Sequence, residues 1–190
     1  MSMPFASLVL RYERDIVLAR QKARQVAARL GFDGQDQSRL STAVSEIARN
    51  AFTYGNGGTV EFTLEGRTPP QVLTVRIADR GPGISDLPAI LGGRFRSDSG
   101  MGLGIIGARR LVDQFDIESA EASGTTVVLK KLLPRHRHLL TPADVERVAA
   151  ELAAEAPRDA MEEVQRQNQE LLRALAELTR RQEELSILNR

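Results

Sequence analysis

The apolar positions of this chain change period several times, and each change marks an element. Leu8 to Arg11 is short and mainly apolar and predicts a strand. From Asp15, apolar residues at Ile16, Ala19, Ala23, Val26, Ala27 and Leu30 recur at helical spacing, and Gly31 supplies a stop. A second helix is predicted from Asp36 or Ser38 to Tyr54, with Leu40, Ala43, Val44, Ile47 and Ala51 on its apolar stripe. It ends at Gly55, Asn56, Gly57 and Gly58, where positive φ is easily reached. Two strands follow, Thr59–Leu64 and Val72–Ala78; in the second, Val75 and Ile77 alternate with Thr74 and Arg76.

A polar, Gly- and Arg-rich stretch then runs from Asp86 to Ser99. A helix from about Gly102 carries Ile105, Ile106, Leu111 and Val112, and strands Asp116–Ala120 and Thr125–Leu132 close the pattern. The elements predict an α+β fold: one layer of helices on one face of a mostly antiparallel, mixed sheet.

Beyond that pattern the character changes. Residues 134–140 read as a linker, and Thr141-Pro142-Ala143-Asp144 as a helix start, with a Thr cap, Pro in the first turn and an early acid. This Ala-rich helix is expected to stop near Pro157. From Met161 the period becomes seven: Val164, Leu171, Leu178 and Leu185 fall at d, and Met161, Asn168, Leu175, Gln182 and Asn189 at a. Leu at d with a polar Asn at a predicts a parallel two-stranded coil, hence a homodimer through residues 160–190. The heptads stop unfinished at Arg190, as if the natural chain continued. The predicted organisation is a domain at 1–133, a linker with a short helix at 134–157, and a coiled-coil helix at 158–190.

Composition narrows the functions. With 26 basic and 25 acidic residues, the chain has no general attraction to nucleic acid, and two Tyr, six Phe and no Trp offer little base-stacking surface. The absence of cysteine excludes disulfide and thiol chemistry and predicts a cytoplasmic setting. No apolar run reaches the ~20 residues needed to cross a bilayer.

Three short motifs carry the chemistry. In Glu46-Ile-Ala-Arg-Asn50, the carboxylate and the amide lie four apart on one helix face, a pair that suits Mg²⁺ with its few protein ligands. Asp79-Arg-Gly81-Pro-Gly83 places a carboxylate at a strand end, able to accept the exocyclic amine of adenine, with glycines that let backbone approach a base. Gly100-Met-Gly102-Leu103-Gly104 opens a helix whose free N–H groups form an anion site. Each motif alone is weak: the first reads more readily as a solvated pair and the second as a turn. In this order they describe a nucleotide pocket. A P-loop is excluded because no Lys follows these glycines. Gly102-Leu-Gly-Ile-Ile-Gly107 fits a dinucleotide pattern in letters only, since polar Arg94–Ser99 stands where a buried strand is required. Arg94, Arg96, Arg109 and Arg110 are the cations nearest the phosphate site in sequence, and His136 and His138 take no role.

Residues 7–132 resemble the GHKL (Bergerat-fold) ATPases, and within them the serine kinases of the anti-sigma-factor and stressosome branch. Thr42–Asn50 resembles their N box, Asp79–Ile84 the G1 box, Gly100–Gly104 the G2 box and Gly124-Thr-Thr126 the motif closing the adenine pocket. The resemblance implies ATP and Mg²⁺ as cofactors. Asn50 would bind the metal, Asp79, Gly81 and Gly83 the adenine side, and Gly100, Gly102, Leu103 and Gly104 the phosphates, with Thr126 near the base. Glu46 would take the proton from a substrate serine, and residues 86–99 would form a short ATP lid. Tyr54-Gly55 replaces the His-Gly of many anti-sigma factors, and the heptad tail resembles linkers of multidomain sensors.

Two functions follow. One is a protein serine kinase acting on a STAS-type antagonist protein in partner switching. The other is a non-catalytic module that binds ATP or a partner and signals through the coil to a downstream kinase or phosphatase domain. A histidine autokinase is disfavoured, because neither histidine falls on a predicted helix.

Overall fold

The computed structural model describes residues 2–92, 101–120, 123–135 and 138–154, with the backbone alone given for 101–103. Strand β1 (Ser2–Leu10) leads into helices α1 (Glu13–Arg29) and α2 (Gly34–Gly55). Strands β2 (Gly58–Glu65) and β3 (Val72–Ala78) follow, then the short α3 (Leu87–Leu91) and α4 (Met101–Arg109). Strands β4 (Gln114–Ala120) and β5 (Gly124–Leu132) and helix α5 (Pro142–Ala154) complete it.

The five strands lie in the order β1-β2-β3-β5-β4, and all four ladders are antiparallel, so the sheet is not mixed. One face is apolar through Val60, Phe62, Leu64, Leu73, Val75, Ile77, Val127 and Leu129, all buried. Against it lie α1 and α2, whose contact faces are rich in alanine: Ala19, Ala23 and Ala27 on one, Ala43, Ala48 and Ala51 on the other. Small side chains let the two helices approach each other and the sheet, and Leu40, Val44 and Ile47 fill the remaining depth. Buried Ser41 and Ser45 turn their hydroxyls back to carbonyls three residues earlier (3.0 Å each), which satisfies them inside this layer.

The helix ends follow from local chemistry. The Asp15 carboxylate accepts from the N–H groups of Arg11 and Tyr12 (2.8 Å each) and so sets the start of α1. Asp33 caps α2 by accepting from Asp36 N–H (2.8 Å). The helix leaves through left-handed Asn56 and then Gly57 (φ 105°), where a Cβ would collide with the Leu10 carbonyl.

Three features depart from the sequence reading. Strand β1 begins at Ser2 rather than Leu8, and a bulge between Pro4 and Ala6 breaks the alternation that would have revealed it. Within the polar stretch, Asp86 accepts from Ala89 N–H (3.1 Å) and starts α3. Helix α5 is no free linker element. It docks on α1 and β1 through buried Val145, Val148 and Leu152, with Arg29 paired to Glu151 (2.8 Å) and Lys22 donating to the Leu152 carbonyl (3.1 Å). Gln71 anchors the approach to α5, accepting from Leu140 N–H (2.8 Å) and donating to Leu140 O (3.0 Å). One compact unit therefore spans Met1–Ala156, beyond the expected boundary at 133. The second unit, Pro157–Arg190, and the heptads read in it lie outside the described residues.

The Thr141 cap is present: its Oγ1 accepts from Asp144 N–H (3.3 Å), and its hydroxyl and N–H donate to the Asp144 carboxylate (2.7 and 3.0 Å). These bonds, the hydroxyl's first, hold the Asp144 carboxyl below its ordinary value. Among the described residues no helix is long and apolar enough to cross a membrane.

Candidate functional site

Asp79 follows the last residue of β3, and its N–H donates to the Thr125 carbonyl (2.9 Å), which keeps it tied to β5. Its Oδ1 accepts from the N–H groups of Gly81 (2.9 Å) and Thr125 (3.1 Å). Two main-chain donors thus fix one oxygen, and among the described residues Oδ2 has no hydrogen bond. Glycines make this possible. A Cβ on Gly55 would overlap the Asp79 side chain, and one on Gly124 (φ 84°) would overlap its carbonyl. One on Gly81 would lie 2.6 Å from Gly55 Cα.

The carboxylate faces a cavity between α2, β3, β5 and α4. Ile47, Ile77, Ile84, Ile105, Ile117 and Val127 form apolar walls, and Asp79, Asn50 and Thr125 supply the polar atoms. Narrow apolar walls with a few placed polar groups are what a flat heterocycle requires.

At the α2–α4 side, Glu46 and Asn50 project one turn apart toward Gly104 in the first turns of α4. A Cβ on Gly104 would stand 3.2 Å from Glu46 Oε2 and 3.5 Å from Asn50 Nδ2, so a bare glycine leaves room around both groups. Asn50 Nδ2 is buried and has no hydrogen-bond partner among the described residues. Gln21 Nε2 and Thr74 Oγ1 share that condition, but neither residue lines this cavity. Among the described residues no group of three His, Cys, Asp or Glu forms a metal cage.

The structure brings together Glu46, Asn50, Asp79, Gly81, Gly83 and Gly104. Gly83 (φ 80°) lines the cavity itself. Gly102 and Leu103 fall in the first turn of α4, while Gly100, Arg94 and Arg96 lie outside the described residues. Arg109 ends α4 and is exposed, as is Arg110.

Thr126 is placed differently from the expectation. On β5, Thr125, Val127 and Leu129 face the helices, so Thr126 points to the opposite side, where Arg76 Nη2 approaches its hydroxyl (3.5 Å). Thr125 takes the position beside Asp79. Period-2 alternation already contained that answer, because Thr125 shares a face with the apolar residues of the strand. Gly55 and Ser119 also belong to the site. Gly55 left a trace in the Tyr54-Gly55 pair; Ser119 left none, since it acts only through long-range contacts.

Two comparisons bear on this geometry. Residues 10–131 match the family described as histidine kinase-like ATPase domain. The chain is also similar to serine/threonine-protein kinase RsbT of Bacillus subtilis (strain 168), with 38% identity over 121 residues, covering 64% of this chain and 91% of that protein. Helix α5 and everything after it lie beyond the family match. With its antiparallel sheet, helical layer and Asp79 cavity, the chain belongs to the histidine kinase-like ATPase domain family, on the GHKL branch that includes RsbT.

Proposed function

We propose that the chain binds ATP with Mg²⁺ in the Asp79 cavity and transfers the terminal phosphate to a serine of a STAS-type antagonist protein. The observation that carries this reading is the pairing of two differently prepared polar ends on one apolar cavity. At one end, Asp79 is an acceptor fixed by two main-chain N–H groups, suited to the exocyclic amine of adenine. At the other, Asn50 holds a carboxamide nitrogen with no partner among the described residues, beside the carboxylate of Glu46. A carboxamide flip exchanges N for O and offers an oxygen ligand, so the donor set fits Mg²⁺, which takes few protein ligands. Bound there, the metal would neutralise charge on the phosphates. The first turn of α4, with Gly102, Leu103 and Gly104, supplies N–H groups on the same side. Glu46 lies one helical turn from Asn50 and is the group to accept the proton of an attacking serine hydroxyl.

A phosphotransfer assay with Mg²⁺-ATP and a serine-bearing STAS protein tests the reading. Glu46→Ala is expected to lower transfer by about 10²-fold or more while ATP affinity stays within about threefold. Loss of both together would place Glu46 in binding and remove it as the base.

The seven-residue repeat of residues 161–189 favours a second reading. A homodimer formed through residues 160–190 would pass the ATP- or partner-bound state of the domain to a downstream output domain, with no phosphotransfer. An intact pocket that binds ATP but labels no serine distinguishes it. Under either reading the setting is cytoplasmic.

A further inference from the structure

The face of the sheet turned away from the helices carries a groove at the end of β3, on the reverse of the Asp79 turn. Its floor is one ladder row of Thr59, Ala78 and Thr126, whose side chains are all small. Gly57 lines it without a side chain, and Arg76 and Arg80 stand on either side of Ala78 along the chain. Four residues of extended backbone put these two arginines about 13 Å apart.

Neither guanidinium is spent on the fold. Arg76 lies directly across from Glu61 on β2, but Nη1 and Oε2 are 3.7 Å apart and both side chains are about half exposed. Such a pair contributes little. Thr126 Oγ1 is 3.5 Å from Arg76 Nη2, at the limit of a hydrogen bond. Arg80 is exposed and has no hydrogen bond or ion pair among the described residues. Asp79 borders the groove too, but its carboxylate faces the cavity on the other side of the turn. Two further carboxylates stand on the rim, Glu61 opposite Arg76 and Glu118 opposite Thr126.

We propose that this groove docks an extended acidic segment of a protein partner, with one carboxylate on Arg76 and a second, four residues along, on Arg80. An extended segment carries side chains i and i+4 on one face at the same spacing of about 13 Å. Between them its main chain passes over Ala78, where the Thr59 and Thr126 hydroxyls offer donors and acceptors. Arginine suits this use, because its planar fork can take a carboxylate through two parallel bonds. The rim carboxylates Glu61 and Glu118 repel a continuous run of negative charge, so the groove selects two spaced acids over a polyanion. Docking here does not require ATP in the cavity.

The test is a titration of the isotope-labelled full chain, followed by amide NMR shifts, with a synthetic seven-residue peptide of serine and alanine that carries glutamate at its second and sixth positions. Shifts are expected at Thr59, Arg76, Ala78, Arg80 and Thr126, with an affinity that falls as salt is raised. The same peptide with glutamine at both positions is expected to bind about fivefold more weakly or worse. Arg76→Glu and Arg80→Glu should each weaken the glutamate peptide by about fivefold or more. Matching melts, and for Arg76→Glu an unchanged ATP affinity, show that fold and cavity are intact. If Arg76→Glu melts early through its like charge opposite Glu61, Arg76→Gln replaces it in the same comparison. Glutamate and glutamine peptides that bind alike, variants that bind like the intact chain, shifts confined to another surface, or no shift at millimolar peptide would each overturn the proposal. So would an Arg76→Glu chain that sediments differently while its peptide binding is unchanged, which would give this face to a second copy of the chain.

Discussion

Two side-chain amides with buried nitrogens show how this molecule separates holding from binding. Gln71, at the docked end, has its carbonyl and its amide both engaged by the main chain of Leu140. Asn50, at the cavity, has a buried Nδ2 with no partner among the described residues, next to a glycine that gives up its side-chain volume. A saturated amide fixes two segments and has nothing further to offer. An unsaturated one costs free energy in the empty protein, roughly 1–3 kcal/mol, and returns it when a ligand arrives. The cavity repeats the lesson within a single carboxylate: Asp79 Oδ1 is consumed by the fold, while Oδ2 has no hydrogen bond among the described residues.

The comparison can be broken most severely at Gly124. Its positive φ and its contact with the Asp79 backbone both forbid a side chain, so Gly124→Ala is expected to destabilise the domain by about 2–4 kcal/mol, seen as a lowered melting temperature. A melt unchanged within a degree would mean the Asp79 turn is not fixed by its glycines.

The two amides should respond in opposite ways. Gln71→Ala strands the Leu140 N–H and carbonyl and should cost about 1–3 kcal/mol, with faster hydrogen exchange along residues 140–154 and unchanged ATP affinity. Asn50→Ala should leave the melting temperature level or slightly raised and weaken Mg²⁺-dependent ATP binding by about tenfold or more. Matching stability losses in both variants would show that Asn50 is a structural amide like Gln71.

The smallest effect belongs to the start of α5. Hydrogen bonds from Thr141 depress the Asp144 carboxyl, so the folded form favours the ionised state. The contribution is complete above the unfolded value, ordinarily 3.8, and is lost as pH falls through the lower folded one. Hydrogen exchange in the first turn of α5 should be steady near neutrality, after correction for intrinsic rates, and rise only below that ordinary value. Thr141→Ala should shrink the acid step, since the hydroxyl's bond is lost while the main-chain N–H of residue 141 and Arg147 still favour the carboxylate.

Much of this was legible in the residues, and the failures share a cause. Helix α2 announced itself by its apolar stripe, and Glu46 and Asn50 followed from a spacing of four. β3 was read to the residue, because Val75 and Ile77 alternate cleanly with polar neighbours. β1 was cut short because its bulge disrupts the period and Pro4 argues against a strand. Thr126 was named from a motif read by its letters, whereas the alternation of the strand puts Thr125 on the cavity side. Ser119 and Gln71 were invisible because each is defined by partners far along the chain, 35 residues away in one case and 69 in the other. Local pattern gives elements and short-range pairs; a side chain that joins distant segments appears only once the fold is assembled.

The measurement that bears most directly on the account is calorimetric titration of Mg²⁺-ATP into the intact chain and into Asp79→Asn. The Asn carbonyl can still accept from Gly81 and Thr125, so the variant should fold. Its amide then faces the adenine amine donor to donor. The account predicts binding by the intact chain that falls by about 100-fold or more in the variant, with matching melts. Equal binding by the two proteins would contradict it, and would move the nucleotide away from Asp79.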